Sequence, residues 1–109
     1  MIKVYIASPY TIGDTAANVR TQMDVFNELA NTGKIAPFAP LLFHFQHLVH
    51  PRKPYEWLAM DFEWVKSCDA VLRLPGESVG ADAEVEFANS FNIPVFYTIE
   101  DLKEHFYIL

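Results

Sequence analysis

The chain has one cysteine, few basic side chains and no long apolar run, and each shortage removes a class of protein. A single cysteine, Cys68, cannot form an internal disulfide. Standing at the end of an apolar helical stripe, it reads as a small buried hydrophobe rather than a nucleophile. Eight Lys and Arg face 14 Asp and Glu, for a net charge of −6, and the basic residues form no cluster. Phosphate backbones and anionic membrane surfaces are bound by concentrated positive charge, so neither a nucleic-acid polymer nor a membrane is an expected partner. A small anion held by local donors remains compatible. No stretch approaches the ~20 apolar residues of a membrane span, and the apolar run in "MIKVYIASPY" meets Pro9 too soon for a signal peptide. The expectation is a soluble, cytoplasmic protein. No repeat, linker or low-complexity segment divides the chain. Its 109 residues, 51% of them apolar, supply one core and not two, so residues 1–109 read as a single domain.

What is present is an alternation of short apolar runs with amphipathic ones. "IKVYIA" (2–7) is a β-branched strand pattern, and Asp14 or Thr15 can cap a helix with Val19, Met23, Phe26, Leu29 and Ala30 on its inner face. Gly33 ends that helix, and "KIAPFAP" reads as a second strand. The Pro-bounded, His- and Phe-rich stretch from Leu41 to Pro54 shows no clear period and reads as a loop over a site. Residues 55–68 are helical by period, 69–75 strand-like, 79–91 helical and 93–98 a strand, before a closing helix at "EDLKEHF". Strands that are almost continuous apolar runs, alternating with helices, predict an α/β fold. The expected form is a doubly wound, flavodoxin- or Rossmann-like parallel sheet of four to five strands with helices on both faces. Ligands of such sheets sit beyond the carboxyl ends of the strands, where strand order reverses. The loops "SPYTIGD" and "PGESVGA" qualify, and they combine Gly with Ser, as a backbone anion cradle requires.

Two carboxylates fall on faces that should be apolar. In the helix 55–68, Trp57, Leu58, Phe62, Trp64, Val65 and Cys68 form a stripe, and Asp61 stands inside it. A buried Asp needs a partner or a task, because desolvating its charge costs several kcal/mol. Either it bonds a helix terminus or loop, or it is an acid or base in a cleft. In "LRLPGESVGADAEVEFA" (72–88), Ala81, Val85, Ala88 and Phe91 mark the inner side of the helix. Glu84 shares it, whereas Asp82 and Glu86 fall on the solvent side. Glu84 can serve the helix N-terminus or act chemically. Two inward carboxylates from different elements suit glycosidic-bond cleavage, one at the anomeric carbon and one on the leaving-group proton.

Several further residues are candidates. Tyr5, two residues from the end of the first strand, is a core tyrosine or a hydrogen-bond partner for a site carboxylate. Ser8, with Pro9 and Tyr10 beside it, and Ser78 with Gly80 occupy the two edge loops, as turn residues or as substrate-binding groups. Arg73 either neutralises Glu77 or Asp82 or helps hold an anion. His44, His47 and His50 recur at three-residue steps that drift around a helix without a Cys or close carboxylate, so no metal site is expected. His44 alone can act as a base or a sugar contact from the loop.

"VYIASPYT" (4–11), "WLAMDFEWVKSCDAVLRLPG" (57–76) and "SVGADAEVEFA" (78–88) resemble the nucleoside 2-deoxyribosyltransferase superfamily. Within it the chain is most similar to small, often phage-associated members and to the 2'-deoxynucleoside 5'-phosphate N-hydrolases. The resemblance implies Glu84 as nucleophile, Asp61 acting on the base or leaving group, and Tyr5 positioning the nucleophile. Ser78 stands where the nucleotide hydrolases place a phosphate-contacting serine and the transferases an aspartate, which favours a 5'-monophosphate. Asp82 departs from the family pattern, which has a small residue there. The resemblance also implies a homodimer, and a reaction without metal or organic cofactor. The resulting expectation is an N-glycosidase that cleaves the base–sugar bond of a (deoxy)nucleoside 5'-monophosphate. Base exchange by a deoxyribosyltransferase and a non-catalytic nucleotide sensor are the alternatives.

Overall fold

The computed structural model describes all 109 residues. In chain order they form β1 (Ile2–Ala7), α1 (Thr15–Ala30), β2 (Ile35–Phe38), a short 3-10 turn (Pro40–Phe43), α2 (His44–Val49), α3 (Pro54–Lys66), β3 (Ala70–Arg73), α4 (Val79–Ser90), β4 (Val95–Phe96) and α5 (Ile99–His105). The four strands are parallel and lie in the order β2-β1-β3-β4. The chain runs from β1 outward to β2, then crosses back over β1 to add β3 and β4 on the other side. The reversal therefore falls between β1 and β3, and their carboxyl ends open the crevice where such sheets bind ligands.

Both faces of the sheet are covered, which is why the central strands read as unbroken apolar runs. Alternation along β1 sends Val4 and Ile6 to one side, where they pack with Leu29 of α1, Leu72 and Leu102 of α5. It sends Tyr5 and Ala7 to the other, against Val71, Val65 of α3, and Ala81 and Ala88 of α4. All four of these β1 residues are completely buried, and each Val or Ile contributes about 1.5–3 kcal/mol of transfer free energy.

The helix starts are fixed by local chemistry. Asp14 accepts from the Ala17 amide at 3.1 Å to cap α1, Ser78 accepts from Ala81 at 3.1 Å to cap α4, and Thr98 accepts from Asp101 at 3.1 Å to cap α5. At α3, Pro54 opens the helix and the Glu56 carboxylate reaches back to the Lys53 amide at 2.8 Å. Gly33, at φ +69°, takes the left-handed conformation that closes the end of α1.

Several expectations need correction. The stretch after Pro40 is not a bare loop, since the 3-10 turn and α2 occupy most of it. Six residues of helix are too few to display a period. The last strand is only Val95–Phe96, an edge strand paired with β3 alone. Ala30 is exposed, and the polar Gln22 is as fully buried as Leu29. The helical period puts Trp64 and Phe91 inside, but both are about half exposed. Phe91 lies beyond the end of α4, outside the sheet, where its ring meets Phe87 and the Lys66 ammonium.

Candidate active site

The alternation that buries Tyr5 beneath α3 and α4 aims its hydroxyl at α4, where it donates to Oε2 of Glu84. Glu84 is only 5% exposed. Asp61 approaches from α3 and lies within polar reach of both. Three elements distant in sequence thus place three polar groups together under the switch point.

Their ionisation follows from the burial. Desolvation pushes the Glu84 carboxyl well above the ordinary range, the nearby Asp61 adds to the rise, and the bond from Tyr5 and the charge of Arg73 oppose it. Burial also raises Asp61, with its contacts to Glu84 and Tyr5 pulling the other way. Tyr5 is raised by burial and by both carboxylates, so it remains a proton donor throughout the neutral range. Two interacting acids, Glu84 buried and Asp61 half-buried, titrate as a pair, and one proton between them leaves one charged and one neutral.

Above the pair lies a cavity of about 640 Å³, within the usual range for small-molecule sites. Ser8 and Tyr10 wall it from the loop after β1, and Leu41, Phe43, His44 and His47 from the 3-10 turn and α2. Arg52, Tyr55, Trp57 and Asp61 wall it from α3 and its approach, and Ser78, Gly80 and Glu84 from α4. The hydroxyl oxygens of Ser8 and Ser78 each accept a bond from the protein, Ser8 from Gln22 Nε2 at 2.7 Å and Ser78 from the Ala81 amide. Each hydroxyl proton is therefore free to be donated. No atom lies within 4 Å of where a Cβ would stand on Gly80, so the first turn of α4 is bare toward the cavity.

The Tyr10 hydroxyl meets Nδ1 of His44 at 2.5 Å, tying the loop after β1 to α2. Burial raises the Tyr10 phenol. His47 Nδ1 accepts from Trp57 Nε1 at 2.8 Å, while His50 is exposed. No three His, Cys, Asp or Glu side chains converge to hold a metal. Pro9 does not line the cavity. It packs on the turn after β3, where its Cγ stands 2.7 Å from the position of a Cβ on Gly76. Arg73 is likewise outside the cavity and bonds Asp82 Oδ1 at 2.9 Å, so Asp82 is an ion-pair partner rather than plain solvent-side charge. Cys68 is half-buried, its thiol pushed up to about 11 chiefly by burial, as befits an inert side chain.

Sequence reasoning missed Gln22, Arg52 and Trp57. Gln22 donates to the Ile6 carbonyl at 3.2 Å and to Ser8, and accepts from the Leu41 amide at 2.9 Å, so it joins β1, the Ser8 loop and the 3-10 turn. It lies between Val19 and Phe26 on the inner stripe of α1, and the test that singles out Asp61 would have found it.

The parallel sheet, with two interacting acids beside a pocket at its switch point, is a doubly wound α/β domain, and that pocket is its candidate small-molecule site. The chain belongs to the family described as Domain of unknown function (DUF7768), whose profile matches residues 2–98. No curated protein matches it. Among solved structures, a 2-deoxyribosyltransferase from the psychrotolerant bacterium Bacillus psychrosaccharolyticus superposes with a TM-score of 0.56 at 21% identity, over 85% of this chain and 69% of that one. The likeness is one of fold.

Proposed function

We propose that the protein is an N-glycosidase that releases the base from a (deoxy)nucleoside 5'-monophosphate. The observation that carries this reading is the pair of acids from α3 and α4, Asp61 half-buried and Glu84 buried and hydrogen-bonded by Tyr5, at the floor of a cavity with serine donors at its edge. In the free site burial and the neighbouring Asp61 hold the shared proton on Glu84, and attack requires that it pass to Asp61, a transfer favoured by the bond from Tyr5 and the charge of Arg73. Glu84 attacks C1', the C1'–N bond breaks with its electron pair going to the base, and Asp61 delivers its proton to the departing nitrogen. The Asp61 carboxylate then takes a proton from water, which attacks C1' and frees Glu84. Retention of configuration follows if the two carboxyls work about 5 Å apart. No step calls on a metal or an organic cofactor.

Ser8, Ser78 and the bare turn at Gly80 suit the phosphate, with Pro9 holding the neighbouring turn in place. Tyr10 and His44 suit the sugar. The exposed apolar side chains of Leu42, Phe45, Leu48 and Val49 next to the cavity support a homodimer. Base exchange uses the same residues, with a second base in place of water. The resemblance of the motifs to the 2-deoxyribosyltransferases and the shared fold support both outcomes.

The test is incubation with deoxy- and ribonucleoside monophosphates, with and without a second base, followed by chromatography for free base and exchanged nucleotide. Glu84→Ala is the control. Base release lost in Glu84→Ala is the expected result. Tight binding of a nucleotide without release of base from any of them would make the protein a sensor instead.

A further inference from the structure

Arg73 closes β3 on the side of the sheet that carries Val71 and Tyr5, and its side chain is only 9% exposed. Three hydrogen bonds tie its guanidinium to the path into α4. Nη1 donates to the Leu74 carbonyl, while Nη2 donates to the Gly76 carbonyl at 2.9 Å and to Asp82 Oδ1 at 2.9 Å. The two carbonyl bonds span the turn after β3, and the third fastens that turn to the first turn of α4. Asp82 is 73% exposed and screened by water, so it neutralises the buried cation only in part. Glu84 follows Asp82 by two residues on the inner side of the same helix, so the guanidinium bonded to Asp82 stands close to it, and its charge is among those that oppose the rise of the Glu84 carboxyl.

We propose that Arg73, with Asp82 as its counter-charge, is a positioning residue that fixes the turn leading into α4 and presents a positive charge to Glu84. The inference rests on the reading of Glu84 as nucleophile. Tyr5 from β1 and Asp61 from α3 also act on Glu84, and Tyr10, His44, His47, Arg52, Tyr55 and Glu77 are the other charged or titratable side chains lining the cavity. Arg52 and Arg73 are the permanent cations, and of the two Arg73 is the one tied to the helix that carries Glu84. Asp82 then has a specific use: it sets how much of that charge Glu84 feels.

Carbon-13 NMR of the glutamate carboxyls, with Glu84 assigned by its absence in Glu84→Gln, measures the effect without requiring turnover. In Arg73→Met the Glu84 midpoint moves up by roughly one pH unit, as expected for loss of a nearby opposite charge. In Asp82→Asn it moves down, and in the double variant the Asp82→Asn effect shrinks because its intermediary is gone. The acid limb of the kcat/KM profile follows the same order. A merely structural Arg73 lowers Tm and leaves the midpoint where it was, and that result overturns the proposal. Should Arg73→Met not fold, Asp82→Asn decides alone, since an unmoved midpoint there is equally fatal. Absence of turnover in the wild type would remove the glycosidase reading while the titration still judged Arg73.

Discussion

Replacing Gln22 by Leu asks whether one buried amide holds two walls of the site together. Leu fills nearly the same space, so no large cavity opens in α1 and the loss is of hydrogen bonds. The Leu41 amide loses its 2.9 Å acceptor and the Ser8 hydroxyl loses its 2.7 Å donor, Gln22 itself being fully buried, Ser8 nearly so and Leu41 half-buried. An unpaired buried polar group costs about 1–3 kcal/mol, so two of them, one only half-buried, cost about 2–4 kcal/mol together. For a domain near 100 residues each kcal/mol moves Tm by about 4–8 °C, which gives a fall of roughly 10–25 °C by calorimetry. Gln22→Glu keeps the shape and the acceptor for Leu41 but turns an oxygen toward the Ile6 carbonyl. Its burial raises the new carboxyl above its unfolded value, so its deficit deepens as pH rises. A cost below about 0.5 kcal/mol for Gln22→Leu, the scatter of harmless surface changes, would refute the claim that this residue ties the walls together.

At Gly76 the backbone has φ +120° and a Cβ would stand 2.7 Å from Pro9 Cγ. Gly76→Ala therefore costs about 1–3 kcal/mol by urea denaturation, whereas Gly80→Ala, with open space around it, leaves stability nearly unchanged. Equal effects at the two glycines would contradict the packing of Pro9 on this turn. For Glu84, burial raises the folded carboxyl above its unfolded value, so the folded state binds the proton more tightly and stability falls as pH rises through that interval. Glu84→Gln does not titrate. Its stability relative to the wild type should improve from pH 4 to pH 8, and a relative stability that worsens over that range would show the carboxyl is not disfavoured by burial.

The alternation of strand and helix was legible because a parallel strand covered on both faces carries its apolar residues without interruption. Asp61 and Glu84 were legible because each breaks an apolar stripe. The mark is weaker at Gln22, since burying a neutral amide in a helix stripe costs less than burying a charge. Other features depend on geometry that pattern does not encode. Arg73 pairs with Asp82 and not Glu77 because the turn at Gly76 folds back under the guanidinium. Pro9 serves the turn after β3 and not the cavity because the two edge loops meet in space. Trp64 and Phe91 obey the helical period yet lie partly outside the sheet they should cover. The six residues of α2 were too short to be told from a loop.

The placement of Tyr5 between Val4 and Ile6 has a consequence for how this chain can change over generations. Alternation along β1 commits Val4 and Ile6 to the α1 side and Tyr5 to the α4 side. Inserting or deleting a single residue inside the strand would exchange those sides, putting a branched aliphatic under Glu84 and a phenol into the opposite core. Foundation and working part would be lost in one event, with no intermediate that keeps either. Length variation should therefore accumulate beyond Ala7, in the Ser8–Asp14 loop, while β1 is free to vary only by substitution.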